Sequence, residues 1–176
     1  MSFSLEVFAV AVPEDLTRAW IAGLMSHGLV VEPHPQFDLR RWRGGWVSFK
    51  CSAQIPGYPP RAFAAGFELD VEATADAMEL AEDTPGDLRE LIEQSMALFH
   101  LSTPSARTVG DLRLQSLGAA VLADVCGGAV YDPQRDEFFR GAAALVNAQR
   151  EAESFESSSE PESWALEVFR GWGAVR

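Results

Sequence analysis

The chain has 176 residues, 47 % of them apolar and 10 % aromatic, and a net charge of −12. That length and apolar share suit one globular domain with a sizeable core, and they exclude a disordered chain. No uncharged apolar run approaches the about 18 residues of a membrane-spanning helix, and the acidic balance repels a phosphate backbone, so neither a membrane span nor nucleic acid is expected.

Leu5–Val12 reads as a largely apolar strand. No positive charge precedes it and Glu6 interrupts it, so no secretory signal is expected and a cytoplasmic location follows. Pro13 suits a helical first turn, with Glu14 and Asp15 at its positive end. Leu16, Trp20 and Leu24, with Ile21 and Met25 beside them, make one buried helical stripe, which Gly28 ends. Leu29–Glu32 is a second strand, stopped by Pro33-His34-Pro35. Residues 33–45 form a loop. From Trp46 to Ala53, Trp46, Ser48, Lys50 and Ser52 alternate with Val47, Phe49, Cys51 and Ala53, which means a strand with one wet face. Three prolines and a glycine in 55-IPGYPP-60 force a turn, and Ala62–Val71 returns as a strand.

Residues 68–93 hold ten acids against one base. Within them, 72–83 reads as partly helical, and Thr84-Pro85-Gly86-Asp87 is a helix-start signal ahead of Leu88, Leu91 and Ile92. Met96–Leu101 fits a strand, or an extension of that helix. Thr108 and Asp111 form the capping pair of a long helix, in which Leu114, Leu117, Gly118, Val121, Leu122 and Val125 face the core. Gly127 supplies its left-handed end and Ala129–Tyr131 a short strand. Asp132 and Pro133 are then expected to open another helix, burying Phe138, Phe139, Ala142, Leu145 and Val146. Residues 150–163 are acidic and serine-rich. The segment 164–172 fits a helix or a strand, and Pro161 with Glu162 favours the helix.

The expected fold class is α/β (α+β): a mixed sheet with βαβ units and helices packed on it. The unit at 5–33 and the unit at 96–133 share the order strand, helix, glycine, short strand, acid, proline, which suggests a duplicated βαβ element. Residues 1–155 are expected to form a single domain. Residues 156–176 add an acidic loop and an aromatic segment that docks on it.

Chemistry-bearing patterns are sparse. Cys51 and Cys126 form no CxxC pair and read as buried free thiols. The three histidines lack metal-ligand spacing, so no metal is expected, and no phosphate-binding glycine loop announces a cofactor. His27 suits a helix C-terminus, and His34 lies in a stiff loop. The catalytic candidates are His100, Ser102 and Arg107, in a polar cluster expected between a strand end and a helix start, where α/β sheets hold ligands. The binding candidates are Arg40, Arg41, Trp42, Arg43 and Trp46, residue types enriched at protein interfaces.

The stretch 116-SLGAAVLADVCGGAVYDPQ-134 resembles a pattern in small uncharacterised bacterial proteins of immunity or accessory type. The resemblance implies no catalytic residue. With the lopsided charge, it leads to an expected function: a bacterial, non-enzymatic, acidic protein-binding domain of immunity or inhibitor type with a basic protein partner. The alternatives are a small-molecule enzyme or sensor using the 100–107 loop, and a structural subunit burying its C-terminal aromatics in an oligomer.

Overall fold

The computed structural model describes residues 2–72, 86–158, 164 and 166–172. The expected acidic helix at 72–83 and the Thr84 cap therefore lie outside the described residues, apart from Glu72. In chain order the elements are β1 (Phe3–Ala9), α1 (Leu16–Ser26), β2 (Leu29–Pro33), β3 (Trp46–Ala53), β4 (Phe63–Glu72), α2 (Gly86–Gln94), β5 (Ala97–Thr103), α3 (Val109–Val125), β6 (Ala129–Asp132), β7 (Glu137–Arg140), α4 (Gly141–Ser157) and β8 (Glu167–Val168).

The strands form one sheet in the order β2-β3-β4-β5-β1-β6-β7, with β8 against β4. The α+β class expected from the sequence is present, but every neighbouring pair is antiparallel, so the sheet is not mixed in its ladders. The βαβ units survive in split form. β5 and β6 run parallel to each other with β1 between them, while β1 and β2 are parallel with three strands between.

Alternation divides the sheet into two faces. One face carries Leu5, Val7, Val47, Phe49, Phe67, Leu69, Phe99 and Leu101 and packs under α1, α3 and α4. Trp20 of α1 fills its centre against Phe37, Phe49 and Phe67, and its indole N–H donates to the Gly118 carbonyl of α3 at 2.8 Å. Fully burying an apolar side chain of this kind contributes about 2–3 kcal/mol. On the other face, Leu91 and Ile92 of α2 cover only a small cluster of Phe8, Leu98, Ala129 and Tyr131.

The central helix α3 is buried along nearly its whole length, so its polar side chains need protein partners. Asp111 and Thr108 form the expected capping box, and Asp111 also accepts the Gly66 N–H of β4 at 2.8 Å. Gln115 donates to the Phe3 and Leu101 carbonyls and accepts from the Thr103 hydroxyl. Arg113 makes two hydrogen bonds to Glu156 of α4, at 2.5 and 2.7 Å. Burial works against the guanidinium's charge, yet these bonds more than offset it and hold its pKa above the ordinary value. The Tyr58 hydroxyl donates to the same carboxylate at 2.6 Å, and Trp164 donates to the Glu156 carbonyl.

Several local expectations are corrected. Residues 13–15 form a turn, and α1 begins only at Leu16. Met25 is exposed rather than part of the buried stripe. Asp132 and Pro133 do not start a helix. The Asp132 carboxylate accepts from the Gln134 N–H, Asp136 takes a left-handed φ of 56°, and the chain turns into β7. Phe138 and Phe139 are therefore strand residues, and Phe138 stacks on Tyr131 across the hairpin. The next helix starts after Arg140 and buries Ala144, Ala148 and Ala152, leaving Val146 exposed. The segment 164–172 contains a strand, not a helix, because β5 stops pairing β4 at Glu68 and leaves the ladder at Phe63 and Ala64 open for β8.

Both glycines of the 127–128 pair are accounted for. Gly127 has a φ of 62°, as the helix end requires. Gly128 lies on β1 so closely that an added Cβ would stand 1.8 Å from the Phe8 carbonyl oxygen. Gly128→Ala is expected to destabilise by about 3 kcal/mol or more through forced overpacking against backbone, and Gly127→Ala by about 1–2 kcal/mol through the left-handed conformation. Urea unfolding of the two variants checks the order.

Removing one partner of the buried Arg113–Glu156 pair strands the other charge. Glu156→Ala is expected to cost about 3–5 kcal/mol, and replacing both residues by apolar ones, as in Arg113→Met with Glu156→Leu, to recover much of that loss. Thermal unfolding of the single and double variants measures the difference.

Candidate functional site

The face turned away from α1, α3 and α4 is where polar strand residues collect. Ladder register places them in transverse rows. Trp46 of β3 stands opposite Glu68 of β4, which pairs with Ser102 of β5 and then Ser4 of β1. One step along, Asp70 pairs with His100, then Glu6, then Tyr131 of β6. Glu72 follows on β4. Four carboxylates from β1 and β4 thus share one sheet surface with a single imidazole.

His100 sits between two of them, its Nδ1 3.6 Å from Glu6 and its Nε2 3.6 Å from Glu72. These distances exceed a hydrogen bond but are well within charge attraction. Burial pushes the Glu6 carboxyl above its ordinary pKa and Glu72 adds to the shift, while His100 opposes it. One Glu6 oxygen is buried without a protein hydrogen-bond partner. Tyr131 lies beside Glu6 and donates to Asp136 at 3.0 Å.

The catalytic candidates do not converge. His100 and Ser102 are on β5 and share the polar face, two residues apart, with no hydrogen bond joining them. Arg107 belongs to the turn before α3. Its guanidinium lies over Phe3 and Phe155 on the helix side and donates to the Pro104 carbonyl. The cluster 100–107 is thus split where β5 ends: His100 and Ser102 share one strand face, and beyond Thr103 the chain turns toward α3 and carries Arg107 to the helix side. Thr103, between the two groups, is buried against Gln115.

The binding candidates separate too. Trp42 is half-buried against Phe37 and its indole N–H donates to the Gly45 carbonyl. Arg40 reaches the Glu14 carbonyl and Arg41 pairs with Asp38, both at the exposed loop surface. Arg43 is exposed. Trp46 alone stands on the polar sheet face, 50 % exposed. Its indole covers Gly66, where an added Cβ would meet ring atoms at 2.8 and 2.9 Å, and its N–H donates to the Ser48 hydroxyl at 3.0 Å. The ring is therefore held in place while half its surface meets solvent. The Gly44–Gly45 turn passes over Asp70, whose carboxylate would lie 2.3 Å from a Cβ on Gly44.

Glu68 and Asp70 belong to the acidic 68–93 block that the sequence marks, but their place beside Trp46 and the part of Glu6 are not legible there. The available signal was strand alternation, which gives each residue's face but not which strands are neighbours. Among the described residues, no group of three or more His, Cys, Asp or Glu is arranged to hold a metal ion, and no helix is long and apolar enough to cross a membrane. Cys51 and Cys126 are buried free thiols, and burial raises Cys126 to about 12. In comparisons with known proteins, no family model, curated protein or solved structure matches the chain.

The raised Glu6 pKa has a definite sign. The folded protein holds this proton more tightly than the unfolded chain does, so the stability contributed is full in acid and lost as pH rises above the ordinary carboxylate range. Glu6→Gln removes the cost of a buried charge facing Glu72, Asp70 and Tyr131, with only His100 lost as a partner. The variant is expected to melt higher than the parent at neutral pH, with the gap narrowing toward pH 4 as Glu6 becomes protonated. Equal gaps at both ends of a calorimetric pH series would contradict this.

Proposed function

We propose that this chain is a non-enzymatic, acidic protein-binding domain of inhibitor or immunity type, that it works in a bacterial cytoplasm, and that its polar sheet face receives a basic protein. The observation carrying the reading is the composition of that face: Glu68, Asp70 and Glu72 at alternate positions of β4 and Glu6 across His100 on β1, with the half-exposed Trp46 opposite Glu68. Carboxylates in this density steer a positively charged partner, and a fixed aromatic supplies contact area at small entropic cost. The two buried free thiols suit a reducing compartment. A hydrolytic or acid–base reading draws no comparable support, since His100 and Ser102 are not coupled and Arg107 serves the opposite side.

The test is affinity capture from a lysate of the source organism at low and high salt, with three baits. These are the parent, Glu68→Gln with Asp70→Asn on the face, and Glu14→Gln with Glu153→Gln elsewhere on the surface. A basic protein retained by the parent and the control variant, lost from the face variant and released by salt, is the expected result. Retention of the same proteins by all three baits would overturn the reading.

A further inference from the structure

We propose that the anchor of this interface is an arginine side chain of the basic partner, laid flat on the Trp46 indole and paired with the Glu68 carboxylate. This rests on the protein-binding reading above and names the chemistry of the contact. Three features favour it. First, the indole is already fixed, because Gly66 lets one ring face lie on the β4 backbone and Ser48 accepts its N–H. The outer face is left for a ligand, and 50 % of the residue's surface is exposed. Second, Glu68 is the direct cross-strand neighbour of Trp46, a position from which side chains touch. Asp70 follows two residues on, on the same face and under the Gly44 turn. Third, neither Glu68 nor Asp70 forms an ion pair among the described residues, whereas Glu32 and Lys50 on the same face are paired at 2.8 Å.

A guanidinium matches this arrangement better than an ammonium does. It is planar and weakly hydrated, so it stacks on an aromatic face, and its fork donates two parallel hydrogen bonds to a carboxylate. A lysine ammonium would gain the charge attraction and a cation–π contact, without the planar stacking or the two parallel hydrogen bonds. No covalent step is involved.

The experiment is a two-dimensional NMR titration of the full chain with capped tri-arginine and tri-lysine peptides, following the Trp46 indole N–H, which Trp46→Phe identifies. The expected result is a shift of that resonance by tri-arginine, with an affinity about fivefold above that of tri-lysine. Trp46→Leu should weaken tri-arginine more than tri-lysine and so remove most of the arginine advantage, and Glu68→Gln should likewise weaken tri-arginine more than tri-lysine. Both variants change exposed side chains, and their spectra report folding directly. Equal affinities for the two peptides, or an unaltered preference in Trp46→Leu, overturn the arginine anchor but leave a basic partner in place. Binding of neither peptide overturns the anchor and the reading beneath it together.

Discussion

Everything in this molecule is arranged around a helix with no solvent side. α3 touches the sheet below it, with α1 and α4 packed beside it, and almost every residue from Val109 to Ala123 is buried. A helix in that position cannot leave a polar side chain unanswered, because an unpaired buried group costs about 1–3 kcal/mol and a charge more. Asp111, Arg113 and Gln115 therefore act as connectors. They reach β4, α4 and the β1–β5 pair respectively, and the bonds to Gly66, Glu156 and Phe3 join elements distant in sequence. The register of the layers is set by these polar bonds as well as by apolar packing.

Placing the large helices on one side leaves the other side of the sheet thinly covered. Only α2 packs there among the described elements, over Phe8, Leu98 and Tyr131. Among the described residues, the strand positions on the rest of that surface are mostly serine, glutamate, aspartate, lysine and histidine. The functional reading grows from this asymmetry, because the polar face gathers carboxylates of β4 and β1 on either side of His100. Trp46 is the largest exception to the polar rule, with the exposed Val30 another, and Gly66 beneath it and Ser48 beside it are what let a large aromatic rest there.

Much of this architecture was legible locally. The alternation from Trp46 to Ala53, the stripe of Leu16, Trp20 and Leu24, the Thr108–Asp111 box and the glycine ending α3 all act within a few residues, and each is found. The failures have two causes. Asp132-Pro133 obeys helix-start grammar, yet the same residues make a tight turn when aromatic side chains beyond them can pair across a hairpin, as Phe138 does with Tyr131. The strand at 167–168 exists only because β5 leaves part of β4 unpaired, which nothing near residue 167 reveals. The candidate site was legible only in part for the same reason. Trp46 and His100 could be assigned to faces, but the neighbours that give them meaning, Glu68, Glu6 and Glu72, depend on strand order. Arg107 is close to His100 along the chain, but β5 ends at Thr103 and the turn into α3 carries Arg107 to the other side of the sheet.

The place of β1 in the sheet bears on how the chain reaches this state. The first strand lies in the middle, hydrogen-bonded on one edge to β5 and on the other to β6. During synthesis neither partner exists until the ribosome has passed Ala97 and Ala129. Two bare ladder edges and the apolar Phe8 side chain must wait for them. Closing such long loops is entropically slow, and open strand edges invite pairing with other chains. Nascent copies of this protein are thus most vulnerable to aggregation early, through the very segment that ends up best protected.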